Sequence, residues 1–224
     1  MDGKIVVIEG IDGSGKTTQY KILKERLEQE DELVYSSSFP NYESKSCWFV
    51  KQYLSGTFGD NPGDVDAKTA SLFFALDRYA SYKMKGWGKA YRVGKNVLFS
   101  RYWTSNLLHQ ASKLNTEDEK IAFLEWLRNL EINELGLPEE NAVIFLRLPF
   151  ETCLRIKRER NHSDCGDKDI HEADERYLHD SWETANFFAK RLGWLTIECV
   201  VNGEMRSVRE INDEVYGLYR KVVG

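Results

Sequence analysis

The sequence predicts an α/β fold: a five-stranded parallel sheet with helices on both faces, a three-layer sandwich, in one domain over residues 1–224. Short apolar or β-branched runs alternate with longer amphipathic stretches, and parallel strands need such crossovers because a tight turn cannot join them. The first run, in "VVIEGIDGSGKTTQ" (6–19), leads through three glycines and a lysine straight into helical spacing. Hydrophobic residues make up 42% of the chain and no internal repeat is visible, so one sizeable core is expected.

Each element has its own signal. Residues 4–9 form a β-branched run bounded by glycines, the pattern of a strand buried on both faces. A helix follows over 17–30 through Tyr20, Leu23 and Leu27, and a second strand over 33–37. Amphipathic spacing predicts helices over 44–54 and 67–84, then a strand over 96–100. Further on come a helix over 121–135, a strand over 142–148 and a short helix over 151–158. The helix over 170–192 has acidic residues early, Lys190 and Arg191 at its end and Gly193 after it, which suits the helix dipole and a C-cap. A strand over 195–200 and a helix over 208–222 close the chain. In such sheets ligands bind beyond the C-terminal strand ends.

Composition narrows the partners. The net charge of −5 argues against a general nucleic-acid or anionic-membrane surface, so an anion site has to be a local cluster of Lys and Arg. Cys47, Cys153, Cys165 and Cys199 are far apart, the pattern of reduced thiols. No apolar run approaches the roughly 18 residues of a membrane span and no leader pattern is visible, which together predict a cytoplasmic location.

The strongest motif is Gly10-Ile11-Asp12-Gly13-Ser14-Gly15-Lys16-Thr17, a full match to G-x-x-x-x-G-K-[ST] between a predicted strand and a predicted helix. Glycines let backbone N–H groups curl around phosphate oxygens, and the helix N-terminus adds positive potential. Lys16 is placed for the β/γ-phosphates, the Thr17 hydroxyl for Mg²⁺, and Thr18 adjoins them. The loop predicts binding of ATP with Mg²⁺ and leaves the acceptor open.

Other segments, in order, resemble the thymidylate kinase family, the P-loop enzymes that phosphorylate dTMP to dTDP. They are "EGIDGSGKTTQ", "SSSFP" (36–40), "SLFFALDRYAS" (71–81), "SRYWTSNLLHQ" (100–110), "GLPEENAVIFLRL" (136–148) and the lid segment "KRERN…DIHE", spanning about 3–200. The resemblance implies a homodimer working on small nucleotide substrates. Position by position, Asp12 matches the carboxylate that meets the deoxyribose 3′-hydroxyl, and Phe39 closes the family's Phe-Pro strand. Phe74 and Arg78 match the ring that stacks on thymine and the arginine that reads O4. Gln110, with Asn106 beside it, matches the base-edge amide; Arg101 matches the acceptor-phosphate arginine and Lys51 a second clamp. Gly13 stands where some relatives carry arginine, which moves the transition-state cation to the lid (158–170), with Arg158 and Arg160 first and Lys168 after them.

Plainer readings stand beside these. Phe74 suits core packing, Arg78 an ion pair with Asp77 or a neighbour, Lys51 a solvated helix face, Asn106 and Gln110 water-facing positions, and the lid arginines a solvated helix end. His162, Cys165, His171 and His179 fit no structural-zinc spacing. Departures from the family pattern are Ser100 for the usual Asp, Arg147 and Asn141 for aspartates, Asn41-Tyr42 where an arginine is common, and His109 for the Tyr or Phe that crowds the 2′ position. They keep two alternatives open: a kinase of a deoxynucleoside or other small hydroxyl acceptor, and a non-catalytic nucleotide-binding protein.

Overall fold

The computed structural model describes residues 1–84, 86–163 and 175–224, the side chains of 160–163 excepted. Five parallel strands form the sheet: β1 (Ile5–Glu9), β2 (Tyr35–Ser38), β3 (Val97–Ser100), β4 (Ala142–Arg147) and β5 (Leu195–Glu198), in the order β2-β3-β1-β4-β5. All five residues of central β1 are buried. Because successive side chains point to opposite faces, such a strand is covered on both sides. In register Ile8 lies opposite Ser100, Ser100 opposite Ser38, and Glu9 opposite Phe145. The C-terminal ends of the strands therefore form one edge, and the loops that leave it carry Asp12, Phe39 and Arg101.

The connecting helices are α1 (Lys16–Gln29), α2 (Trp48–Leu54), α3 (Ala67–Met84), α4 (Trp87–Arg92), α5 (Ser105–His109), α6 (Glu117–Arg128), α7 (Phe150–Ser163), α8 (Glu175–Arg191) and α9 (Val208–Val223). Helix α1 packs on α9, where Gln19 Nε2 donates to Val208 O (3.1 Å) and Asn212 Nδ2 to Gln19 Oε1 (3.0 Å). Helix α8 packs on α5 and is tied to the sheet by Trp182 Nε1, which donates to Leu148 O at 2.8 Å.

Several boundaries differ from expectation for local reasons. The helix expected over 44–54 begins as a 3₁₀ turn (Lys45–Cys47) capped by Ser44. The helix expected over 121–135 starts earlier, at Glu117, because Thr116 and Glu119 form a capping box; its end relaxes into a π turn, Asn129–Glu134. The strand expected over 195–200 stops at Glu198. Val200–Val201 instead pairs antiparallel with Glu204–Met205, and Asn202-Gly203, both at positive φ, make the hairpin turn. Helix α4 was not predicted, whereas α5 lies just after Arg101-Tyr102, where the family resemblance implies a helix. The short helix over 151–158 extends to Ser163, so the expected lid begins inside α7 and its remainder lies outside the described residues.

Candidate active site

The glycine-rich loop runs from the end of β1 into α1, and its shape follows from close packing. Gly13 (φ 84°) lies so near α7 that a Cβ would sit 2.8 Å from the Cys153 carbonyl oxygen. The position excludes the arginine found in some relatives on steric grounds. Gly15 (φ 85°) stands at the N-cap of α1 with no side-chain cap, and the first turn has no acidic residue. Uncapped N–H groups at the positive end of a 14-residue helix suit an anion. The Ser14 hydroxyl is buried without a hydrogen-bond partner among the described residues, while Thr17 and Thr18 are exposed on the first turn. Donors, helix dipole and hydroxyls together fit the phosphates and metal of Mg·ATP.

Lys16 folds back onto its loop: Nζ donates to Ile11 O at 2.7 Å and lies 3.7 Å from Asp12 Oδ1. Burial pushes its ammonium down to about 7 with help from Arg101, against the pull of Asp12 and Glu9. Burial alone would raise the Asp12 carboxyl, but Arg101 first and then Lys16 outweigh it and hold it well below the usual range.

A cleft opens beside this loop, walled by the β2 exit, α2, α3 and α5. Its lining includes Asp12, Phe39, Phe74, Arg78, Arg101, Asn106, His109 and Gln110. Seven of the eight expected acceptor-site residues are thus brought together. Phe39 packs against Phe99 and Tyr102, with ring centroids 5.2 and 6.3 Å away. Phe74 is half-buried, edge-on to Tyr53 at 6.2 Å; it packs against the small cluster of Cys47, Val50, Tyr53, Leu54 and Ala70 and also borders the cleft. Arg78 is buried and forms a two-pronged pair with Glu131 through Nε (2.8 Å) and Nη2, which leaves Nη1 for the cleft. Asp77 is not its partner; that carboxylate holds Asn41 N (2.8 Å) and Ser46 Oγ (2.6 Å), bracing the loop after Pro40. Asn106 and Gln110 are buried rather than water-facing, and Gln110 Oε1 has no hydrogen-bond partner among the described residues.

Arg101 sits just past β3 at φ 69°, a left-handed conformation unusual for a residue with a side chain. Its N–H donates to Ile8 O (3.2 Å). The following turn is gripped by Glu9, whose Oε1 accepts from Tyr102 N (3.2 Å), Thr104 Oγ1 (2.8 Å) and Ser105 Oγ (2.7 Å). The guanidinium reaches Asp12 through Nη2 and His109 Nε2 through Nη1, the latter at 2.8 Å.

Some expected residues lie elsewhere. Lys51 is exposed outside the cleft, because Val50, Tyr53 and Leu54 take the inward positions of α2. Arg158 is also exposed and pairs with Glu175 Oε1 at 2.8 Å. The side chains of Arg160, His162, Cys165, Lys168 and His171 lie outside the described residues. His179 is grouped with Asp180 and Glu183 on α8. Arg147 pairs with Glu198 across the β4–β5 edge, and Asn141 exchanges two bonds of 2.8 Å with the Ile5 backbone, so both departures serve the sheet. Ser100 is buried at the tip of β3. Sequence reasoning missed Glu9 and Glu131. A carboxylate ending a fully apolar strand is a legible signal, whereas nothing local marks Glu131.

A family model described as thymidylate kinase matches residues 8–200. The thymidylate kinase of Mycobacterium tuberculosis (strain ATCC 25618 / H37Rv) is 30% identical over 164 residues, 72% of this chain and 74% of that protein. The probable thymidylate kinase of Pyrococcus abyssi is 29% identical over 220 residues, covering 98% and 97% respectively. Among solved structures, the thymidylate kinase from Candida albicans superposes with a TM-score of 0.68 at 19% identity, over 98% of this chain and 92% of that one, a likeness of fold. No helix among the described residues is long and apolar enough to cross a membrane.

Proposed function

The chain belongs to the thymidylate kinase family, the dTMP phosphotransferases, and from that premise we propose that it phosphorylates dTMP to dTDP with ATP and Mg²⁺, as a cytoplasmic homodimer. The observation that carries the reading is the place of Asp12, which belongs to the phosphate loop and whose Oδ1 meets both Arg101 of the cleft and Lys16 of the loop. One carboxylate thereby joins a triphosphate site to an acceptor site. Gly10 to Thr18 cradle the triphosphate, with Thr17 toward the metal. Bound there, Mg·ATP supplies the phosphoryl group and a cation that offsets its charge.

On the acceptor side, Phe74 offers a ring face to the base, Arg78 Nη1 a donor for a carbonyl, and Gln110 Oε1 an acceptor for an imide N–H. A pyrimidine with O4 and N3–H satisfies both polar groups; cytosine, with an amino group at C4 and no N3–H, satisfies neither. Arg101 takes the acceptor phosphate, Phe39 backs the site, and Asp12 meets the 3′-hydroxyl. The catalysis asked of these groups is positioning and charge stabilisation, which suits phosphoryl transfer. The homodimer draws on the family pattern and on the exposed apolar side chains Trp48, Phe49, Leu72 and Leu76 along α2 and α3.

The test follows ADP release with dTMP, dUMP, dCMP and dGMP as acceptors, and a nucleoside panel beside them. The expected order puts dTMP first and dCMP far behind. Absence of turnover with every monophosphate would overturn the reading, and turnover with nucleosides alone would replace it.

A further inference from the structure

We infer that His109 is a positioning residue for the acceptor-phosphate arginine: its neutral imidazole fixes one arm of the Arg101 guanidinium while Asp12 fixes the other. The inference rests on the role given to Arg101 above. The geometry leaves one assignment of protons. A guanidinium has only donors, so in the 2.8 Å contact between Arg101 Nη1 and His109 Nε2 the imidazole accepts. Its proton is therefore on Nδ1 and the ring is uncharged.

The surroundings enforce that state. His109 is 8% exposed. The charged groups that act on it are Arg101, Asp12 and Lys16 at the phosphate loop and Lys157 on α7; burial and Arg101 lead, Asp12 opposes, and the imidazolium is held down to about 3. The backbone that carries the ring is also held. The His109 carbonyl ends α5 and accepts from Tyr177 Oη of α8 (2.7 Å) and Ser112 Oγ (2.8 Å). Two anchors on separate nitrogens set the plane of the guanidinium before a phosphate arrives, which reduces the ordering that binding must supply. A phenylalanine, one of the residues relatives carry here, has no lone pair for this task. The histidine is thus a departure with its own role, beyond filling space near the sugar.

The test compares His109→Phe with His109→Gln, whose amide oxygen can still accept. His109→Phe is expected to raise KM for dTMP about 10- to 100-fold, the scale of a lost hydrogen bond to a charged group, with KM for ATP within about twofold. His109→Gln should recover most of the loss. In an Arg101→Gln background, His109→Phe should add nothing further. Wild-type kinetics in His109→Phe, equal damage from both variants, or multiplying losses in the double variant would each overturn the role. A second measurement needs no turnover: ¹⁵N spectra of the wild-type imidazole should report the Nδ1–H form unchanged from about pH 5.5 to 8, whereas titration near the ordinary histidine value of about 6.5 would overturn it. Failure of every monophosphate as an acceptor would defeat the dTMP reading, and a titrating imidazole defeats the positioning role; the two failures are separate.

Discussion

Lys16 donates to Ile11 O and is pushed down to about 7 by burial, so near neutral pH it is only partly charged. A triphosphate favours the ammonium form, and binding that selects a protonated group takes up a proton wherever the free group is neutral. The sign follows: ATP affinity falls as pH rises through about 7, and proton uptake per ATP grows from near zero at about pH 6 toward one at about pH 8.5. Calorimetry in buffers of different ionisation enthalpy measures that uptake; none at the higher pH would mean that Lys16 is already fully charged. Lys16→Arg should abolish the uptake, since arginine stays protonated. At this scale the sequence was most readable where function lies in consecutive residues. Gly10 to Thr18 were identifiable because backbone curvature and helix start are local properties. Lys51 was misplaced because its direction depends on the phase of α2 after a 3₁₀ turn, which the apolar positions Val50, Tyr53 and Leu54 settle.

Helix α3 shows what elements add to residues. Its 18-residue span was predicted to the residue, and Phe74 and Arg78 fall on one face of it as the spacing requires. The partner of Arg78 was not legible, because Glu131 lies 53 positions away on a π turn and meets it only through the fold. That pair is buried on both sides, so removing one member leaves an uncompensated charge. Glu131→Gln should cost about 3–5 kcal/mol, measurable by urea unfolding, and lower Tm by about 10 °C. Replacing both members, Arg78→Met with Glu131→Leu, should recover most of the stability because the buried charges are gone. The same double variant should lose dTMP binding while keeping ATP binding. Full dTMP affinity in it would show that Arg78 stabilises the fold without reading the base.

At the scale of the whole molecule, the parallel sheet was legible because strand–helix alternation is a property of the entire chain, whereas the cleft was legible only through the order of the family motifs, because three separate connections build it. The same scale governs the missing cation. Gly13 cannot carry it, since Cys153 O closes that space. Arg158, on α7, is held by Glu175 at the start of α8, so it stands between the helix that packs on the phosphate loop and the helix that packs on α5. The Arg158–Glu175 pair is exposed on both sides and therefore screened by solvent, so phosphate charge outcompetes it at little cost. Arg158→Met should therefore lower kcat by about 10²–10³-fold, the scale of a lost donor to developing charge, with KM for dTMP nearly unchanged. Glu175→Gln should leave unfolding stability within about 0.5 kcal/mol of wild type and kcat equal or higher, because it releases the arginine. If Arg158→Met retains full kcat, the cation that stabilises transfer is a different one; if Glu175→Gln is as slow as Arg158→Met, the pair itself is the working unit and Arg158 acts from where it stands.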